Sequence, residues 1–265
     1  PIFPRSTVKC MQASAMVGSG LKLEPRFLAL AQSSHSGSQI HQDGVLEILA
    51  GVGLQESDLQ CAFDKPLGEA ERATWGEKPA TRLAMNCSGK HAGMLSTCVV
   101  NGWDIKSYLN PEHPLQIAIL NEIQALANTK VANKTFDGCG APLFAMTTRE
   151  LATAIRAITI SEEPVHIEVM GAARAFPEMV AGVNRLTTRT MRSVPGLFMK
   201  EGAEAVEVVS LSDGRTLVFK ISDGSWRAFG AIMHAALLEW GITTTEEVFN
   251  VYGGANIVGR MQAVI

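Results

Sequence analysis

No block of basic residues occurs in this sequence, and its formal net charge is −3. The electrostatic footprint of a nucleic-acid binder is therefore missing. No apolar run is long enough to span a bilayer, and no charged stretch with an apolar core opens the chain. Internal repeats and low-complexity segments are also lacking. Cysteines are few: Cys10, Cys61, Cys87, Cys98 and Cys139. Their odd number and scattered spacing exclude a compact disulfide framework and give no close CxxC pair. A reduced, cytoplasmic setting is expected, with most thiols acting as small buried apolar groups. The chain opens at Pro1 rather than at methionine, so its natural start is not expected here. What is present is ample apolar material: 46% of 265 residues, enough for a substantial core in one domain spanning 1–265.

The first part, to about residue 190, reads as helical. FPRSTVKCMQASAMV has apolar residues at helical spacing after a proline entry. EPRFLALAQ and HQDGVLEILAGVG follow, the latter ending at glycine. GKHAGMLSTCVVNGW and the amphipathic HPLQIAILNEIQALAN are the next two helices. TTRELATAIRAI opens with a capping box, Thr147 to Glu150. HIEVMGAARAFPEMVAG is a helix broken near Pro177. The proline and glycine clusters between 62 and 80 read as a long loop. From about 191 the pattern changes to short strands, GLFMK, AVEVVSL and TLVFKI, the last two joined by a hairpin at 212–214. DGSWRAFGAIMHAALLEWG returns to helix, and ANIVGRMQAVI reads as a final strand. Helices first and an antiparallel hairpin later give an α+β class rather than a regular βαβ alternation.

Ser6 and Lys9 sit three apart in FPRSTVK, at what reads as the first turn of a helix. Residues at that spacing share a helix face. A lysine held close to a serine and partly desolvated can serve as its general base. The plain alternative is a capping serine beside a solvated lysine. A second such pair, Ser19 and Lys22, lies in a glycine-flanked turn and reads as coincidence. Other polar clusters carry the same two readings. QSSHSGSQIHQ is a serine-rich loop or a site segment, and MNCSGKHAGML is a glycine turn entering a helix. TFDGCGAPLF is a tight turn, and Lys200 ends a strand-like run.

Taken together, FPRSTVK, SSHSG, NCSGKHAGML, DGCGAP, FPEMVAG and the segment at Lys200 occur in one family's order. The chain resembles an L-asparaginase of the Rhizobium etli type, the asparaginase II family, distinct from the two-domain threonine asparaginases. The resemblance spans essentially the whole chain. It implies the fold of serine β-lactamases and glutaminases, an antiparallel sheet with helices on one side and a helical lobe beside it. It implies hydrolysis of the side-chain amide of L-asparagine to L-aspartate and ammonia, by a Ser–Lys mechanism through an acyl-enzyme. A glutaminase or other amidohydrolase, or a non-catalytic amino-acid- or metal-binding relative, is the alternative.

The resemblance also implies roles. Ser6 is the candidate nucleophile with Lys9 as its base, and Ser34 and Lys200 form a second Ser–Lys couple that relays a proton to the leaving ammonia, with the attacking serine left open between the two. The layout is similar to penicillin-recognising enzymes, where Ser-x-x-Lys, a second serine and a later lysine converge. Zinc would bind Cys87, Lys90 and Cys139, with Asp137 nearby. Thiolates suit zinc, and lysine must be neutral to coordinate. Arg5 would meet the substrate α-carboxylate, Asp137 its α-ammonium, and His91 falls beside the pocket. A homodimer is expected. Two departures stand out. Family members start with a strand pair that precedes the region equivalent to Pro1, and without it a sheet edge would lie open. Many members also have glutamate where this chain has Ser38.

Overall fold

The computed structural model describes residues 1–244 and 249–264. A 3₁₀ turn, Arg5–Val8, leads into α1 (Lys9–Gly18), followed by α2 (Pro25–Ala31), α3 (Gln39–Ala50), α4 (Glu69–Trp75), α5 (Ser88–Asn101) and α6 (Pro114–Ala127). A short ladder of β1 (Lys134–Phe136) and β2 (Pro142–Phe144) comes next. Then follow α7 (Thr148–Ile160), α8 (Pro164–Ala175), α9 (Pro177–Val180) and α10 (Leu186–Ser193). The meander β3 (Phe198–Gly202), β4 (Val206–Ser210) and β5 (Thr216–Lys220) precedes α11 (Phe229–Glu239), and β6 (Phe249–Gly253) pairs with β7 (Asn256–Met261). The expected α+β class is what the chain adopts.

Local chemistry accounts for many boundaries. Thr147 and Glu150 form the expected capping box at the start of α7. Gly102 in the left-handed region closes α5, and Asn128 does the same for α6. Phe176 and Pro177 separate α8 from α9, the break read from the proline. The turn at 212–214 joins β4 to β5, with Gly214 at φ 91°.

Some elements differ from the reading of the sequence. The stretch 62–80 contains α4, a short helix with no buried residue, so it carries no apolar periodicity. Strands β1 and β2 are three residues each, too short to show an alternation. The final strand is β7, paired with an unread β6, and Ile265 lies outside the described residues. Among the described residues the strands form three separate antiparallel ladders rather than one sheet.

The core positions the site. β3 and β4 are buried along their whole length. One side of the meander meets α7, while the Arg5–Val8 turn packs on β3 and β4. A methyl group on Gly202 would stand 2.8 Å from the Pro4 carbonyl oxygen, so glycine at the end of β3 permits this close approach. α2 is held by α3, α5, α8 and α9 and delivers its C-terminal loop, Ser33–Ser38, to the same place.

Candidate active site

Four buried side chains predicted from separate parts of the chain converge. Lys200, in β3, hydrogen-bonds the Ser34 hydroxyl at 2.8 Å and the Glu201 carbonyl at 2.7 Å. Lys9, the first residue of α1, donates to the Ser33 carbonyl, to Ser34 Oγ at 3.1 Å and to Cys87 Sγ at 3.1 Å. Ser34 Oγ therefore lies between two lysines. Ser6 stands in the 3₁₀ turn, and its hydroxyl has no side-chain hydrogen bond among the described residues. The i, i+3 spacing brings Ser6 and Lys9 into one region, but the Lys9 amine is directed to Ser34.

Burial drives the Lys200 amine down to about 7, and the Lys9 charge adds to the effect, against the opposing pull of Glu201 and Glu207. At neutral pH about half of Lys200 is then neutral and able to take a proton. Glu207, facing Glu201 across the β3–β4 ladder, is wholly buried; burial and the Glu201 charge hold its carboxyl well above the usual range. Glu201 is paired with Arg185.

Ser6 and Ser34 open on one cleft of about 810 Å³, whose wall also includes Ser36, Glu71, Asn86, Arg185, Glu201 and Phe229. The Pro4–Ser6 approach to it is strained: Arg5 has φ 54°, uncommon for a side-chain-bearing residue. Arg5 is tied down by Asp137, with Nε to Oδ1 at 2.7 Å, and by Glu204 at 3.2 Å. Arg5 and Asp137 are thus each other's partners, and neither lines the cleft. His91 is wholly buried behind the wall, with Nδ1 2.7 Å from the Tyr108 hydroxyl.

Behind Ser34 lies a second cluster. All five cysteines are free and buried. Cys87 and Cys139 meet Lys90, whose Nζ is 3.2 Å from Cys139 Sγ. The Cys87 thiol donates to Asn86 Oδ1 at 3.1 Å. The neighbouring Cys139 sulfur and burial push Cys87 up, while the Cys87 thiol and the Lys90 charge hold Cys139 well below its usual range. Burial would lower Lys90, but the Cys139 and Cys87 sulfurs outweigh it and raise the amine. Among the described residues no group of three or more His, Cys, Asp and Glu side chains could hold a metal ion. A three-ligand centre therefore needs the amine. The donors are compatible with that: two buried sulfurs, Cys87 and Cys139, stand beside Lys90, and buried His91 faces Cys139.

Glu71, Asn86 and Arg185 were not singled out by the sequence. Glu71 lies in the unread helix α4. Asn86 directly precedes Cys87 in NCSGKHAGML, where its amide carries no signal beside a thiol, a lysine and a histidine. No helix among the described residues is long and apolar enough to cross a membrane. The model of the L-asparaginase II family matches residues 1–262. No curated protein matches the chain.

Proposed function

The chain belongs to the L-asparaginase II family and is an amidohydrolase acting on L-asparagine, and from that premise we propose that Ser34 and Lys200 carry the reaction through an acyl-enzyme. The observation that supports this most is the 2.8 Å bond between Ser34 Oγ and a lysine whose amine titrates at about 7. A general base has to reach the proton it removes, and its affinity for that proton has to match the working pH.

Neutral Lys200 takes the Ser34 proton as Oγ attacks the side-chain carboxamide carbon. The Lys9 ammonium, 3.1 Å from Ser34 Oγ, stabilises the negative charge that develops there. The Ser6 backbone N–H, at the start of the Arg5–Val8 turn, holds the oxyanion, the Thr7 N–H being taken by the Pro4 carbonyl. Protonated Lys200 gives its proton to the amide nitrogen, the C–N bond breaks, and ammonia leaves an aspartyl ester on Ser34. Lys200 then deprotonates water, which attacks the ester carbon; the C–Oγ bond breaks, Lys200 returns the proton to Ser34 Oγ, and L-aspartate departs. Zinc, in this reading, would be held by Cys87, Lys90 and Cys139, and would supply a positive charge behind the wall that carries Ser34.

One observation favours a second reading. The Ser6 hydroxyl opens on the cleft without a side-chain partner and follows a strained residue. In that version Ser6 attacks, its proton passes to Ser34 Oγ, and Ser34 gives its own proton to Lys200. Ammonia release from L-asparagine and L-glutamine should disappear in Ser34→Ala and Lys200→Met under the first reading. The two serines lie on different tryptic peptides, so mass mapping of acid-quenched enzyme separates the readings. An ester on the Ser34 peptide supports the first, and one on the Ser6 peptide replaces it with the second. Full activity in Ser34→Ala and Ser6→Ala alike would remove both.

A further inference from the structure

The substrate of this reaction carries an α-ammonium, and a site that prefers it over a deaminated analogue needs a carboxylate without a resident cation. The cleft wall contains four glutamates, Glu69, Glu71, Glu201 and Glu204. Glu201 is taken by Arg185 and Glu204 by Arg5. Asp137 is likewise held by Arg5 and is not on the wall. Glu69 is exposed at the rim. Glu71 differs from all of these. It is half-buried, and no cationic side chain lies within ion-pair distance of it among the described residues.

Glu71 is also held in place. Its Oε1 accepts a hydrogen bond from Ser36 Oγ at 2.8 Å. Ser36 is buried, two residues after Ser34 on the same loop. That loop is fixed by Ser34 N–H to the Val180 carbonyl at 2.9 Å and by Ser36 N–H to the Ala181 carbonyl at 2.6 Å. Two glycines make the room. A methyl group on Gly68 would collide with Glu71 Oε2, and one on Gly182 would stand 2.5 Å from Ser36 Oγ. The Gly68 N–H also bonds the Ser36 carbonyl at 2.9 Å. Neither glycine tolerates a side chain there, so the Ser36–Glu71 contact sits in a fitted seat beside the reacting serine.

Resting on the asparaginase reading above, we propose that Glu71 binds the α-ammonium of the substrate and sets the preference for an α-amino acid amide. Oε1 stays on Ser36, and Oε2 meets the ammonium. Glu71 is a specificity residue that does not take part in bond making.

The test compares L-asparagine with succinamate, which has the same amide and no amine, in wild type, Glu71→Gln and Glu71→Asp. Binding of L-aspartate against succinate is measured by calorimetry on the same proteins. The wild type should prefer the amine-bearing partner of each pair. Glu71→Gln keeps an acceptor for Ser36 and loses the charge. Its preference should fall about 10- to 100-fold, the range for a hydrogen bond to a charged group, through KM rather than kcat. Glu71→Asp keeps the charge and should retain a preference for the amine. An unchanged preference in Glu71→Gln, or no preference in the wild type, overturns the proposal. If the wild type releases no ammonia, the catalytic reading fails, and the binding pairs still decide the role of Glu71. Glu71→Asp serves as the charged variant if the glutamine protein does not fold.

Discussion

Lys200 and Lys90 are both wholly buried, and their surroundings drive them in opposite directions. Burial alone would strip the proton from each. Beside Lys200 stands another cation, Lys9, and the amine falls to about 7. Beside Lys90 stand the sulfurs of Cys139 and Cys87, and the amine rises instead. The cleft side of the molecule thus holds a lysine ready to accept a proton at neutral pH, and the region behind it holds one locked in an ion pair. The identity of the neighbour, not the degree of burial, separates a base from a structural charge.

The largest expected effect tests that division directly. Lys200→Met should lower kcat/KM for L-asparagine by about 10²- to 10⁴-fold, the range for loss of a general base. Lys90→Met, in metal-stripped protein, should cost far less activity. Equal losses in the two variants would break the comparison, because both lysines would then serve the chemistry.

Stability should invert the ranking. In metal-stripped protein, Lys90→Met leaves the Cys139 sulfur without its cation and should cost ~3 kcal/mol, as for breaking a buried pair. Lys200→Met removes a buried amine whose charged form is penalised, and should be neutral or stabilising at pH 6. The pH dependence has opposite signs as well. Between about 7 and the ordinary lysine value of 10.5 the unfolded chain binds the Lys200 proton and the folded one does not, so stability rises with pH across that window. The contribution of Lys90 is complete below its ordinary value and is lost as pH climbs through its raised one. Urea melts of the three proteins from pH 6 to 10 should show the Lys200 rise in wild type and Lys90→Met and its absence in Lys200→Met, while the Lys90 contribution stays constant over that range, its loss lying above 10.5.

The proposed zinc site sharpens the contrast at the second centre. Coordination requires Lys90 and the thiols to give up their protons. Zinc at about a hundred times its Kd should therefore stabilise the wild type by ~2.7 kcal/mol, with proton release on binding. Cys139→Ser should show neither effect. Stabilisation that survives in Cys139→Ser would move the metal elsewhere.

The sequence made the members of this site legible without their pairings. The Ser-x-x-Lys spacing points to Ser6 and Lys9; Ser6 lines the cleft and Lys9 is buried against Ser34. But spacing assumes a regular helix through both residues. Arg5 at φ 54° and the 3₁₀ turn break that assumption. Lys9 then starts α1 with its amine directed to the α2–α3 loop, a contact across 25 positions that local spacing cannot encode. The long helices were readable because apolar periodicity and caps mark them, as at Thr147 and Asn128. α4 buries nothing and is held by side-chain contacts to distant loops, so Glu71 gave no signal. The Arg5–Asp137 pair was likewise hidden, since each residue alone looked available for substrate.

The smallest effect asks whether Lys9 is the neighbour that matters. If Lys200 is the base, kcat/KM should rise about tenfold per pH unit below 7 and level off above it, because only the neutral amine accepts the Ser34 proton. Burial contributes most to the low value, and the Lys9 charge adds to it. Lys9→Met keeps the burial and removes the charge. The limb measured on the variant's residual activity should then move toward alkaline pH by about one unit, equivalent to ~1.4 kcal/mol. The direction is fixed by electrostatics: with one fewer cation nearby, Lys200 holds its proton more tightly. An unmoved limb would mean that burial alone sets the Lys200 proton affinity. The cleft and the cysteine cluster would then differ only through the sulfurs, and Lys9 would act solely by its bond to Ser34.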